Sequence, residues 1–242
     1  LYIILIGIIG NLIPFSLISW SEQYIQSNTA GLLLSVAPIF TLILSHFLTK
    51  DDKFTFLKFI SIIIGLLGVL FILGFDSLIN LSLNGSNNLL PKLAIIISAL
   101  GYVISAILAY NLNKINTITL TTFVTIASAV ISIPFMIYCE IHFPSDFTNI
   151  SLFSLLYLGL FPTAIAFHLR FHLILKAGPI FLSYVAYLIP VFAIFWGYVF
   201  LKETINFSIF IGVILILIGV FLGQKETSKK LVSQVTQKRI ND

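Results

Sequence analysis

The sequence predicts an all-α, polytopic membrane helix bundle, and three observations carry that prediction. Of 242 residues, 59% are hydrophobic and only 9% are charged, whereas an ordinary soluble domain has about 25% charged residues. Too few charges remain to coat a globule in water. Mean hydropathy is +1.09. The apolar residues gather in runs near the ~20 residues that cross the hydrocarbon of a bilayer as a helix. These runs are far longer than the ~10 residues of a membrane strand and lack its alternation. In lipid, only a helix satisfies the backbone polar groups of such a run from within.

Eight spans follow in order: 1–20, 29–48, 57–75, 93–111, 117–138, 151–174, 179–200 and 207–223. Each ends where polar or turn-forming residues gather. Ser21-Glu22-Gln23 closes the first, and Lys50-Asp51-Asp52-Lys53 closes the second. Asn84-Gly85-Ser86-Asn87-Asn88 lies between the third and fourth. The stretch from Asn111 to Asn116, then Pro144-Ser145-Asp146, Ala177-Gly178-Pro179 and Lys202-Glu203-Thr204 separate the rest. A basic tail follows Gly223. With that tail in the cytoplasm, eleven of the 13 basic residues fall inside and only Lys92 and Lys202 fall outside. That bias fits the positive-inside rule and the span count together. The small net charge of +4 comes from loops and tail, so nucleic acid is not an expected partner. The single Cys139 excludes an internal disulfide and a multi-cysteine metal site. No metal and no cofactor is expected.

The chain also repeats itself. Val36-Ala37-Pro38-Ile39-Phe40 aligns with Leu188-Ile189-Pro190-Val191-Phe192 at a separation of 152 residues, and Lys50-Asp51-Asp52 then meets Lys202-Glu203-Thr204. After a one-residue gap, Ser61 and Gly68 align with Gly212 and Gly219. Both helices thus carry small residues seven apart, where another helix can come close. Pro14 matches Pro162 if the second connecting loop is four residues longer. The paired spans are five apart. Five is odd, so the copies cross the membrane in opposite directions, as in the inverted repeats of secondary transporters. The expected organisation is a first repeat remnant at 1–75 with three helices, an external linker at 76–92, a second repeat at 93–223 with five helices, and a cytoplasmic tail at 224–242. The first copy lacks counterparts of 93–111 and 117–138, and the chain opens at Leu1 inside an apolar run. The expectation is a ten-helix protein missing its first two helices.

Pro14-Phe15-Ser16-Leu17-Ile18-Ser19-Trp20, Ala30-Gly31, Ala37-Pro38-Ile39-Phe40, and Pro190 through Glu203 followed by Gly212 and Gly219 resemble the EamA-type transporters of the drug/metabolite transporter superfamily. The resemblance covers nearly the whole chain. It implies ten helices in a five-plus-five inverted repeat, cytoplasmic termini, and carriage of small solutes such as amino acids, other metabolites or drugs, often outward. It also implies a location in the cell (inner) membrane.

Candidate binding residues are Asn11, Ser16, Ser19, Trp20, Ser35, Thr163, His168, Tyr184, Tyr187 and Trp196. They concentrate on the first, second, sixth and seventh spans, where a site needs apolar and aromatic walls with a few polar groups. Each alone also reads as an interhelical contact or interface anchor. Candidate hinge or gate residues are Pro14, Pro38, Pro162, Pro190 and Glu22. Proline removes a backbone donor and clashes with the preceding turn, which makes either a hinge or a plain packing kink. Glu22 is an outer gate or a solvated loop carboxylate. Ionisable groups within spans are His46, His168, Arg170 and His172. Arg170 either snorkels to the inner interface or meets an anionic substrate. No G-x-S-x-G or H-E-x-x-H occurs, so nothing marks an enzyme.

The leading function is therefore secondary transport of a small metabolite by alternating access. The alternatives are a non-transporting or lipid-handling membrane subunit and, last, an intramembrane enzyme. A small-molecule substrate and the lipid bilayer are the expected partners, and a homodimer is one arrangement open to the chain.

Overall fold

A computed structural model describes residues 1–25, 27–50, 53–73, 89–112, 114–138, 148–188, 191–192, 195, 199 and 207–223. Among these residues every regular element is a helix. In chain order they are α1 (Tyr2–Ser21), α2 (Ser27–Leu34), α3 (Ala37–Leu48), α4 (Phe56–Leu73), α5 (Leu89–Asn111), α6 (Thr117–Tyr138), α7 (149–177), α8 (Pro179–Leu188) and α9 (Phe207–Gly223). Four apolar stretches are long enough to cross a membrane: Tyr2–Ser21, Leu89–Asn111, Thr117–Pro134 and Leu152–Ala177. The shorter α3, α4, α8 and α9 are apolar as well. The molecule is a polytopic helical bundle.

Proline explains where the helices depart from the expected spans. The span at 29–48 is broken into α2 and α3 by a turn at Ser35-Val36. Pro38 is the second residue of α3, so it has no N–H to donate to the preceding turn. The Ser35 and Val36 amides instead donate to the Gly31 and Leu33 carbonyls, at 3.0 and 3.4 Å. Two other helices stay continuous but widen. In α1 a π-helical segment, Ile8–Leu12, immediately precedes the turn that holds Pro14. In α7 a second one, Gly159–Ile165, contains Pro162. A wider turn relieves the ring clash without ending the helix, and such insertions gather at functional sites. At the end of α7, Gly178 turns the chain directly into α8 with φ 92°, a conformation that glycine adopts without strain.

Two cores hold the bundle. One joins α3, α4, α8 and α9 through Leu42, Ile62, Val69, Ile180, Tyr184, Tyr187, Ile216 and Val220. The other joins α1, α5, α6 and α7 through Ile6, Ala106, Leu120, Val124, Phe167 and Phe171. The helix α5 packs against α1, α2, α3, α7 and α8. Its small residues Ser98, Ala99, Gly101, Ser105 and Ala106 are all buried, and small residues let membrane helices approach closely.

In the first core α4 and α9 cross closely. A Cβ on Gly68 would lie 2.7 Å from the Gly212 carbonyl oxygen, and one on Gly212 would lie 2.7 Å from that of Gly68. A Cβ on Gly219 would lie 2.7 Å from the Ser61 carbonyl. The chain number rises along α4 as it falls along α9, so the two helices run antiparallel. Moreover, exchanging each residue for its repeat partner converts the Gly68–Gly212 contact into the Gly219–Ser61 contact.

Candidate functional site

The second core contains the polar chemistry. The π turn of α1 carries Gly10 and Asn11, and Gly10 lies so close to Ser105 of α5 that a Cβ there would overlap it. The next residue, Asn11, is buried. Its Nδ2 donates to Ser128 Oγ of α6 at 3.2 Å. The Ser128 hydroxyl lies 3.1 Å from the Gly7 carbonyl and 2.9 Å from that of Val124. The Asn11 Oδ1 is buried with no partner among the described residues. One turn on, Ser98 Oγ donates to the Ala94 carbonyl at 2.8 Å and lies 3.5 Å from that of Pro14.

Arg170 of α7 completes the junction. Its Nη2 donates to the Tyr102 carbonyl and to Ser105 Oγ, both at 3.3 Å. The guanidinium carbon lies 5.5 Å from the ring centroids of Tyr102 and Phe167 and 5.7 Å from that of Phe171. These are cation–π distances. Phe15 of α1 adds an edge to the Tyr102 and Phe167 rings, at 6.3 and 6.2 Å. Three helices thus converge on one cation. Sequence reasoning left Arg170 either snorkelling to the inner interface or meeting an anionic substrate. Its partners lie six and nine residues before the end of α5 at Asn111, about 9–13 Å from that end at 1.5 Å per residue.

The other candidates fall into three settings. Ser16, Ser19 and Trp20 are exposed on α1 beyond Phe15, and Trp20 packs on Tyr24 with centroids 5.2 Å apart. Glu22 follows them, exposed at the helix end. Thr163 lies within the π segment of α7, its hydroxyl donating to the Leu158 carbonyl at 3.0 Å. Pro162 beside it is exposed, whereas Pro14 and Pro38 are buried. His168 is partly buried, with its ring centroid 6.4 Å from that of His172.

Tyr184 and Tyr187 are buried in the first core, away from Arg170. The Tyr187 ring covers Gly65, and its hydroxyl donates to the Ile62 carbonyl at 3.2 Å. Ser35 is buried at the α2–α3 break. Trp196 and Pro190 lie outside the described residues. Tyr102, Ser105 and Ser128 were not singled out in the sequence. The signal that could have found them is that a charge within a span needs partners on neighbouring helices.

Proline-widened helices and a polar junction around Arg170 are what the described residues show. The EamA-like transporter family matches residues 1–74 and 89–223. The chain belongs to the EamA-like transporter family. It is 26% identical over 230 residues to the uncharacterized transporter YoaV of Bacillus subtilis strain 168, a match spanning 95% of this chain and 77% of YoaV. It is 27% identical over 218 residues to an uncharacterized transporter of Archaeoglobus fulgidus, covering 90% and 75% of the two chains. A solved crystal structure shares the fold at 20% identity, with a TM-score of 0.75 over 93% of this chain and 76% of that one. This EamA-like chain is thus a multi-pass membrane protein of the drug/metabolite transporter type, with the transporter family as its functional class.

Proposed function

We propose that the protein is a secondary transporter that carries a small metabolite, an amino acid or related solute, outward by alternating access. The observation that carries this reading is the close antiparallel crossing of α4 and α9 through Gly68, Gly212, Ser61 and Gly219. Two oppositely directed copies of one helical module can exchange conformations about such an axis, exposing a site between them to each side in turn. The matched proline helices α1 and α7 supply the deformable elements, since each already holds a π segment beside its proline. The Asn11–Ser128 and Arg170–Ser105 groups supply polar contacts within an aromatic surround. On this reading the protein resides in the cell inner membrane with its C-terminus in the cytoplasm, and lipid and solute are its partners. Dimerisation is compatible with the reading and not required by it.

The test is counterflow. Full-length protein is reconstituted in liposomes preloaded with unlabelled amino acids and other metabolites, and uptake of the labelled counterpart is followed. Saturable uptake that needs the internal solute is the expected result. Lipid scrambling in place of uptake would favour the lipid-handling alternative.

A further inference from the structure

We infer that the Thr163 hydroxyl is the latch of a hinge in α7: it holds Gly159–Ile165 in the widened register, and the transport stroke bends α7 there while α1 stays fixed. This rests on the transport reading above and names the element that moves and the group that controls it. In an α-helix the Leu158 carbonyl would accept from the N–H of residue 162. That residue is Pro162, which has no N–H. A π turn moves the register by one, so Leu158 faces residue 163 instead. Thr163 meets it with its side chain, the hydroxyl donating to the Leu158 carbonyl at 3.0 Å. The reach of five residues belongs to the widened turn. In the regular helices Thr41 donates to Ala37, Ser98 to Ala94 and Thr121 to Thr117, each four residues back, at 2.9, 2.8 and 2.8 Å. In the α register the Thr163 hydroxyl would turn likewise to the Gly159 carbonyl, and Leu158 would lose its donor.

The other proline turn, in α1, is held differently. Pro14 also lacks a donor for the carbonyls before it, but this stretch is pressed against neighbouring helices. A Cβ on Gly101 of α5 would stand 2.6 Å from the Ile9 carbonyl oxygen, and one on Gly10 would overlap Ser105. The Ser128 hydroxyl of α6 lies 3.1 Å from the Gly7 carbonyl. A change of register in α1 would disturb contacts with both helices. In α7 the compensating bond is internal to the segment, and a Cβ on Gly159 would have nothing within 4 Å among the described residues. The two ends of α7 also differ. After the widened turns, Phe167, Phe171 and Ile174 are buried and Arg170 is bonded to α5. Before them, Phe153, Leu156 and Leu160 are exposed. A backbone carbonyl in lipid must find its donor within the protein. The Thr163 hydroxyl supplies that donor in one register only, and a neutral hydrogen bond weights a two-state equilibrium by about twofold to tenfold.

The experiment uses full-length protein with Cys139 replaced by serine. Spin labels on Ile97→Cys and Phe153→Cys, both exposed near the starts of α5 and α7, report the free half of α7. A second pair, Lys114→Cys and Lys176→Cys, reports the anchored half. Label distances and counterflow are measured for the parent, Thr163→Val, Thr163→Ser, Pro162→Ala and the double variant Pro162→Ala with Thr163→Val. Thr163→Val is expected to shift the distance populations of the first pair by about twofold to tenfold, to leave the second pair unchanged and to slow counterflow by a similar factor. Thr163→Ser keeps the hydroxyl and should restore both. Pro162→Ala returns an N–H to the Leu158 carbonyl, so adding Thr163→Val to it should change neither distances nor rate. A first pair that Thr163→Val leaves as in the parent overturns the latch. So does an equal loss of counterflow from Thr163→Val with and without Pro162, which would make Thr163 a solute contact. A shift in distance at unchanged counterflow overturns its part in transport. Counterflow of no solute by the parent overturns the transport reading, and the distances still decide the hinge.

Discussion

At the scale of single residues, Asn11 separates a structural role from a binding one. Its amide nitrogen is satisfied by Ser128, but its buried oxygen has no partner among the described residues. A half-satisfied polar group in a low-dielectric interior is costly, and removing its remaining partner leaves the whole side chain stranded. Ser128→Ala is therefore expected to destabilise the protein by about 1–3 kcal/mol, read as a lower melting temperature in detergent. The double variant Asn11→Leu with Ser128→Ala removes both partners and should recover most of that loss. If Asn11 serves the solute, the double variant will be stable but impaired in counterflow. If the pair only joins α1 to α6, stability and transport will return together. A single variant Ser128→Ala as stable as wild type would show that this contact carries no weight. Residue placement was the least legible feature of the sequence, for a physical reason. In lipid the outer face of a helix is as apolar as its inner face, so periodicity does not say which way Tyr187 or Ser16 points. Tyr187 lies in a core, and Ser16 lies on an exposed face.

At the scale of elements, length and composition made the helices readable, and proline marked their irregularities. The expected apolar helices reappear among the described residues, with 29–48 divided at the turn before Pro38 and 179–200 described as a continuous helix only over Pro179–Leu188. What proline could not reveal was its outcome. Pro38 ends one helix and starts another, Pro14 sits just after a widened turn, and Pro134 stays inside an α-helix. The choice depends on whether neighbouring helices satisfy the freed carbonyls, which is tertiary information. Close packing of α1 on α5 can be tested through glycine. A Cβ on Gly101 would lie 2.6 Å from the Ile9 carbonyl oxygen and 3.2 Å from Pro14 Cγ. Gly101→Ala must therefore push α1 away, at a cost of about 1–3 kcal/mol for overpacking. Gly31 and Gly159 have nothing within 4 Å of such a Cβ. Gly31→Ala is expected to be neutral or slightly stabilising, since alanine favours a helix over glycine. Melting curves of the two variants in one detergent decide this. Equal stability would mean that the α1–α5 contact is looser than the geometry requires.

At the scale of the whole molecule, the α4–α9 crossing constrains topology independently of any charge rule. Because Ser61 meets Gly219 and Gly68 meets Gly212, the start of α4 and the end of α9 must face the same side of the membrane. Lys53 stands just before α4, and the segment with Lys225, Lys229 and Lys230 follows α9. On the proposed orientation that common side is the cytoplasm, as the positive-inside rule expects. Geometry and charge are separate arguments, and they agree only if the two helices cross in opposite senses. The first helix extends the prediction, since Glu22 ends α1 on the side opposite to its own start. With Cys139 replaced by serine, single cysteines at Glu22, Lys53 and Thr227 report the arrangement to a membrane-impermeant maleimide. In intact cells Glu22→Cys should label at once, whereas Lys53→Cys and Thr227→Cys should label only after permeabilisation. Labelling of Lys53→Cys and Thr227→Cys from opposite sides would make the antiparallel crossing untenable, and with it any exchange of two inverted modules about a central axis. Labelling of all three from the reverse sides would preserve the crossing and overturn only the orientation, because the contact fixes which ends lie together and the charges alone fix which side they face.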